Sequence, residues 1–268
     1  MRKPISIAIA ALLATPVLAD DHDVQHAVVD ILPGWRTDAG THMAALRVTL
    51  DEGWKTYWRA PGEAGLPPLF DWTRSENIAG VTVHWPVPEI FLSSGIETLG
   101  FHDELVLPLE IEPVDPDAEI DLAGDLQMGI CDNICMPFQT EVSASLTGVE
   151  TSADPRIELA LQRRPDTAAE AGLVSARCDV VAISDGLRVT AHLDLPARGE
   201  VELAVVEAAD RSIWVSAATT ERADGVLTAV ADLVPPTAAP FELDLETLRF
   251  TILANGQAVD IHGCEAVR

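Results

Sequence analysis

The chain has 268 residues, 48% of them hydrophobic, with 43 acidic against 17 basic side chains and a formal net charge of -26 at pH 7. So acidic a surface repels phosphate backbones and anionic lipid headgroups, which argues against nucleic acid and stable membrane insertion as the basis of function. The apolar content is ample for one large core or two ordinary ones.

The chain opens with "MRKPISIAIAALLATPVLAD". Arg2 and Lys3 precede a short apolar run and a small-residue Val-Leu-Ala, the pattern of a secretion signal cleaved after Ala19. The run is short for a bilayer span and is interrupted by Thr15-Pro16. The expected mature protein, residues 20–268, is periplasmic, where disulfides form and persist.

Downstream, short runs alternate between apolar and polar residues. They are "MAALRVTL" (43–50), "VTVHWPV" (81–87), "ELVLPLEIEP" (104–113) and "EVSASLTGV" (141–149). Period-2 runs bounded by Gly, Pro and Asp read as half-buried antiparallel strands, and many of them suggest a β-sandwich. The exception is residues 154–172, where Asp154 is a helix cap, Pro155 suits the first turn and Pro165 is a stop. Beyond it strands are expected at 186–196, 200–209, 212–221, 225–234 and 247–263, the last containing the hairpin signal Asn255-Gly256. The expectation is an all-β chain: a sandwich over 20–150, a helical linker over 151–172, and a second, smaller sandwich over 173–268. Trp54, Trp58, Trp72 and Trp85 read as core, and "APGEAGLPP" as a rigid loop.

The four cysteines form two contrasting pairs. Cys131 and Cys135 sit in "GICDNICMP". On one straight strand they would stand about 13 Å apart, beyond disulfide reach. The turn-forming Asp132-Asn133 and the helix-breaking Pro137 favour a hairpin tip or short loop. A disulfide closing so small a loop restricts the unfolded chain little, which suits a redox couple better than a staple. Two other readings stand beside it: a passive disulfide, and soft Cu(I) binding by Cys131 and Cys135 with Met128 and Met136. The motif contains no His to complete a zinc set. Cys178 and Cys264, 86 positions apart, fit a structural disulfide of the second sandwich. Closing that loop stabilises by roughly 4 kcal/mol in the chain-entropy picture.

The segments "GWKTYWRAPGEAGLPPLFDW", "VHWPVPEIF", "GFHDELVLPLEI" and "CDNICMP", in this order, resemble the N-terminal periplasmic domain of the DsbD and ScsB thiol:disulfide interchange proteins. The second half more weakly resembles the additional domain of the ScsB-like branch. The resemblance implies immunoglobulin-like sandwiches and a redox-active disulfide. By similarity, Cys135 forms the mixed disulfide with partners and Cys131 resolves it. Phe91 and Leu92 are the expected shield over the pair. Tyr57, Trp58, Arg59 and His102 are expected to line the site, with Arg59 and His102 as candidates to stabilise a thiolate.

Implied partners are thioredoxin-like periplasmic proteins and a membrane-embedded electron donor. Family members usually continue into a transmembrane segment and a thioredoxin-like domain. This sequence stops at Arg268 and has no C-x-x-C, so the donor is expected to be a separate protein. No cofactor is expected, with Cu(I) as the alternative. A copper-tolerance protein and a non-catalytic interaction module are the competing functions.

Overall fold

The computed structural model describes residues 26–93, 95–147 and 152–267. The expected signal segment and the boundary at residue 150 lie outside them. The described chain is mostly strand, with one short α-helix, and builds two β-sandwich domains joined by that helix.

The first domain comprises β1 (Ala27–Arg36), β2 (His42–Leu50), β3 (Lys55–Tyr57), β4 (Leu69–Asp71), β5 (Ile78–Val83), β6 (Glu89–Ser93), β7 (Ile96–His102), β8 (Glu104–Pro113), β9 (Ile120–Cys131) and β10 (Cys135–Leu146). One sheet has the order β1-β2-β8-β5, the other β10-β9-β3-β7-β6, with β4 also paired to β9. Alternation along β8 sends Leu105, Leu107, Leu109 and Ile111 inward. Ile120, Leu122, Leu126, Met128 and Ile130 of β9 face the same core. Each such side chain contributes about 1.5–3 kcal/mol by leaving water. Trp58 and Trp85 are buried in this core, and Trp54 and Trp72 pack on it. The strand expected over 81–87 stops at Val83, because Pro86 and Pro88 have no N–H to extend a ladder.

The helix α1 runs Pro155–Gln162. The Asp154 carboxylate accepts from the Arg156 N–H at 2.9 Å and Pro155 occupies the first turn. Ile157 is buried against Leu32, Met43 and Ala45, so the helix packs on the outer face of the first sheet. It ends sooner than the span 154–172 suggests. Pro165 disfavours helical backbone at Arg164, and Asp166–Thr167 then pairs in parallel with Val259–Asp260.

In the second domain, one sheet orders Asp166–Thr167, Gln257–His262, Arg249–Ala254 and Leu203–Glu207. The facing sheet orders Trp214–Val215, Val226–Val234, Leu187–Asp194, Ser175–Ala182 and Glu265–Ala266, with Thr219–Ala223 also on Val226–Val234. The single strand expected over 212–221 is thus two short ones. Asn255 and Gly256 turn the hairpin with φ of 51° and 71°, both left-handed. Cys178 and Cys264 form a buried disulfide with Cα atoms 5.8 Å apart. The domains share apolar contacts: Leu253 and Ala258 belong to the first domain's core cluster.

Candidate redox-active site

The strands β9 and β10 form a hairpin whose last register pair is Cys131 opposite Cys135. The loop Asp132-Asn133-Ile134 closes it, and the two cysteines are disulfide-bonded with Cα atoms 4.1 Å apart. The sequence reading of a hairpin tip therefore holds: the chain reverses between the cysteines and places them side by side. Their surroundings differ. Cys131 is fully buried, because β9 runs inside its sheet with β3 on its other flank. Cys135 is exposed, as are Asp132, Asn133 and Ile134.

Register defines the rest of the site. Cys131 pairs with Lys55, and Lys55 with His102, so these three side chains share one face of the sheet. Tyr57, two residues along β3, lies on that face too, opposite Gly100. Its hydroxyl lies 3.0 Å from Cys131 Sγ and 3.1 Å from Cys135 Sγ. Sulfurs bonded to each other carry no hydrogen, so the phenol donates. Burial pushes the Tyr57 pKa up, which keeps the phenol protonated as a donor.

Two glycines make room for this ring. A Cβ on Gly129 would meet Tyr57 Cδ2 at 2.9 Å and Leu66 Cβ at 2.8 Å. A Cβ on Gly65 would meet Pro61 Cβ at 2.3 Å and Tyr57 Cδ1 at 3.0 Å. The loop "APGEAGLPP" thus lies over Tyr57 and buries it to 2% exposure.

Phe91 stands on β6, which pairs with β7. Its ring meets His102 edge-on at 4.3 Å between centroids, and the Lys55 ammonium sits 4.9 Å from its centroid. Phe91 therefore covers the row next to the disulfide. Leu92 does not share in this. Alternation turns it to the opposite face of β6, where it is 72% exposed. His102 is exposed and its ring pairs with Glu89 at 3.3 Å.

Two other expected site residues lie elsewhere. Trp58 follows Tyr57 with opposite parity and is buried in the core. Arg59 stacks on Trp58 at 3.9 Å and reaches into the second domain. There its Nη2 donates to Glu207 at 3.0 Å and to Thr251 at 2.8 Å. Arg59 is an interdomain ion pair with 10% of its side chain exposed, not a thiolate partner. Burial pulls its pKa down and the charge of Glu207 opposes that.

The four-residue copper set is not gathered on one face. Met128 and Met136 alternate with the cysteines and pack on the core side of the sheet, Met136 opposite Ile130. Among the described residues no group of three or more His, Cys, Asp or Glu is placed to hold a metal. Lys55 and the two glycines are the site residues that sequence reasoning missed. Lys55 had no signal of its own, because only the β3–β9 register brings it opposite Cys131.

The family described as "Thiol:disulfide interchange protein DsbD, N-terminal" matches residues 28–147, the first domain. The N-terminal periplasmic domain of ScsB from Proteus mirabilis is similar in structure, with a TM-score of 0.62, 24% identity and coverage of 90% of this chain and 92% of that one. At that identity the likeness establishes the fold across both domains. No curated protein matched the chain. The first domain thus matches the DsbD N-terminal family model, and its likeness to the ScsB domain is one of fold. No helix among the described residues is long and apolar enough to cross a membrane.

Proposed function

We propose that the chain is a periplasmic thiol–disulfide interchange protein that passes reducing equivalents from a membrane-embedded dithiol donor to oxidised, thioredoxin-like periplasmic proteins through Cys131 and Cys135. The observation that carries this reading is the asymmetry of the pair. Cys135 is exposed at a hairpin tip, whereas Cys131 is buried beside a phenolic donor.

An attacking thiolate must approach its target sulfur along the disulfide axis, and only Cys135 is open to a macromolecule. In the electron-giving direction the Cys135 thiolate attacks a partner disulfide and a mixed disulfide forms. Cys131, as thiolate, then attacks Cys135 Sγ. The partner leaves as a dithiol and the Cys131–Cys135 disulfide is restored. Two electrons move to the partner; one of the two protons it takes up comes from the Cys135 thiol and the other from water, because Cys131 is already a thiolate. The donor reverses these steps with its own dithiol. The exposed apolar side chains Ile134, Leu66 and Leu69 suit contact with a partner around the tip.

The test is trapping. In a Cys131→Ser variant the mixed disulfide on Cys135 cannot resolve, so thioredoxin-like proteins should accumulate as disulfide-linked adducts. Cys135→Ser should trap none. Equal trapping by both, or by neither, would overturn the assignment.

A further inference from the structure

We propose that Lys55 is a positioning residue for the exchange, shared between the Phe91 ring when the cysteines are oxidised and the Cys131 thiolate when they are reduced. The inference rests on the redox reading of the pair given above.

Three observations place Lys55 between the two. It is the register partner of Cys131 on β3, so their side chains leave the same face side by side. Its ammonium lies 4.9 Å from the centroid of Phe91. It is half-buried rather than free in solvent. A disulfide is neutral and offers the ammonium no charge, so the electron-rich ring face is its best partner. Reduction changes that balance.

The donor's thiolate attacks Cys135 Sγ, the S–S bond breaks, and its electron pair leaves on Cys131 Sγ. The donor's second thiol then releases Cys135, so one donor dithiol becomes a disulfide. The products are one Cys131 thiolate, one Cys135 thiol and one proton released to water. A full negative charge next to a half-buried ammonium attracts it more strongly than a ring quadrupole does. Lys55 then swings from Phe91 to Cys131. The leaving thiolate is stabilised and the ring loses the cation that pinned it.

The charged and titratable groups facing Cys131 are Lys55 and Tyr57 from β3, His102 from β7 with Glu89 of β6 behind it, and Asp132 of the hairpin loop. Asp132 opposes a thiolate. His102 lies one strand farther away than Lys55 and is paired with Glu89. Lys55 is therefore the cation best placed to serve Cys131.

The experiment has two readouts. The Cys131 thiol pKa is read by thiolate absorbance in a Cys135→Ser background, and the disulfide equilibrium is measured against glutathione with both cysteines present. Lys55→Met should raise that pKa and shift the equilibrium about tenfold toward the disulfide, about one unit by the usual conversion. Lys55→Arg should restore both. Phe91→Leu should favour the reduced form when Lys55 is present, because the ring no longer competes for the ammonium, and should have no such effect beside Lys55→Met. A Lys55→Met equilibrium within twofold of wild type overturns the proposal, as does an equal Phe91→Leu effect in both backgrounds. Thermal melts confirm that the variants fold. Trapping on Cys135 in the presence of Lys55 is read separately. Adducts without a Lys55 effect overturn this inference alone, and absent adducts overturn the redox reading.

Discussion

The phenolic oxygen of Tyr57 lies 3.0 Å from Cys131 Sγ and is buried with it. The same oxygen is 3.1 Å from Cys135 Sγ, so whichever sulfur becomes a thiolate has a donor within reach. A hydrogen bond to a charged group contributes about 1.5 kcal/mol or more. Tyr57→Phe should therefore destabilise the reduced state, lowering the reduction potential by about 30 mV. The thiol pKa should rise by about one unit. Equilibration with a glutathione buffer checks the first effect and thiolate absorbance against pH the second. An unchanged potential would mean that the phenol only fills space.

The position of that phenol depends on Gly129. A Cβ there would press on Tyr57 and on Leu66 at 2.8 to 3.0 Å, and β9 is held on both sides and cannot retreat. Gly129→Ala should cost about 1–3 kcal/mol, the range for an overpacked site. It should also mimic part of the Tyr57→Phe effect on the potential by pushing the ring off the sulfurs. Gly80→Ala is the control. Its Cβ would meet only a Glu112 carboxylate oxygen at 3.9 Å, so stability should stay within about 0.5 kcal/mol. Urea denaturation of both variants separates the cases.

These residues also mark how far the sequence was legible. The strand pattern, the helix cap at Asp154, the Asn255-Gly256 turn and the hairpin at Cys131–Cys135 are local signals, written in spacing and turn chemistry. Tyr57 and Phe91 came from segment resemblance, and both stand on the site's face of the sheet. Lys55, Gly129 and Arg59 depend on which strand or domain lies alongside, information that no local window holds. Arg59 shows the error this causes. It sits two residues from Tyr57 in sequence, yet its guanidinium pairs across the domain boundary with Glu207, 148 positions away. Leu92 shows another: a one-residue step along a strand reverses the face.

The Arg59–Glu207 pair is nearly dry, with 10% and 18% of the two side chains exposed. Removing one partner leaves a buried charge, so Glu207→Gln should destabilise by about 3 kcal/mol. Asp260, 4.0 Å from Arg59, softens the loss. Replacing both residues with apolar ones, Arg59→Met with Glu207→Leu, should recover most of it, because neither partner is then left charged and unpaired while Asp260 keeps its pair with Arg249. Chemical denaturation of the single and double variants closes the cycle. A double variant less stable than Glu207→Gln would show that the pair is more than a compensated burial.

One buried and one half-buried group should give the domains different acid responses. Burial lowers the His42 pKa, outweighing its 2.6 Å hydrogen bond to the Pro33 carbonyl, so this first-domain imidazole folds neutral. A depressed folded value means that its stabilisation is present above the unfolded value of about 6.5 and is lost as pH falls through the folded one. In the second domain burial pushes Asp260 up, but its bond to Arg249 and the charges of Arg249, Arg59 and His262 hold it below the usual carboxylate range. Its stabilisation is present above about pH 4 and fades below that. Stability should therefore decline first as pH falls below about 6.5, in a step that His42→Gln removes, and again below about pH 4, in a step that Asp260→Asn blunts. Denaturation midpoints from pH 8 to 3 would show both. A decline near pH 6 that persists in His42→Gln would assign it to another group.

The second disulfide should behave as the opposite of the first. Cys178 and Cys264 are 2% and 9% exposed and pack in the second domain's core cluster. They bridge 86 positions, tying the strand Ser175–Ala182 to the segment that leads into Glu265–Ala266. Closing so long a loop removes much unfolded-state freedom, so replacing both cysteines with alanine should cost roughly 4 kcal/mol. The Cys131–Cys135 bond spans a separation of only four. Its reduction removes little chain restriction and should cost far less. Mild dithiothreitol should therefore reduce Cys131–Cys135 while leaving Cys178–Cys264 intact, since the latter is shielded and a native-state thiolate cannot reach it. Mass spectrometry after timed alkylation distinguishes the two. Simultaneous labelling of all four thiols, or a large loss of stability on selective reduction of Cys131–Cys135, would instead support a purely structural pair and a non-catalytic module.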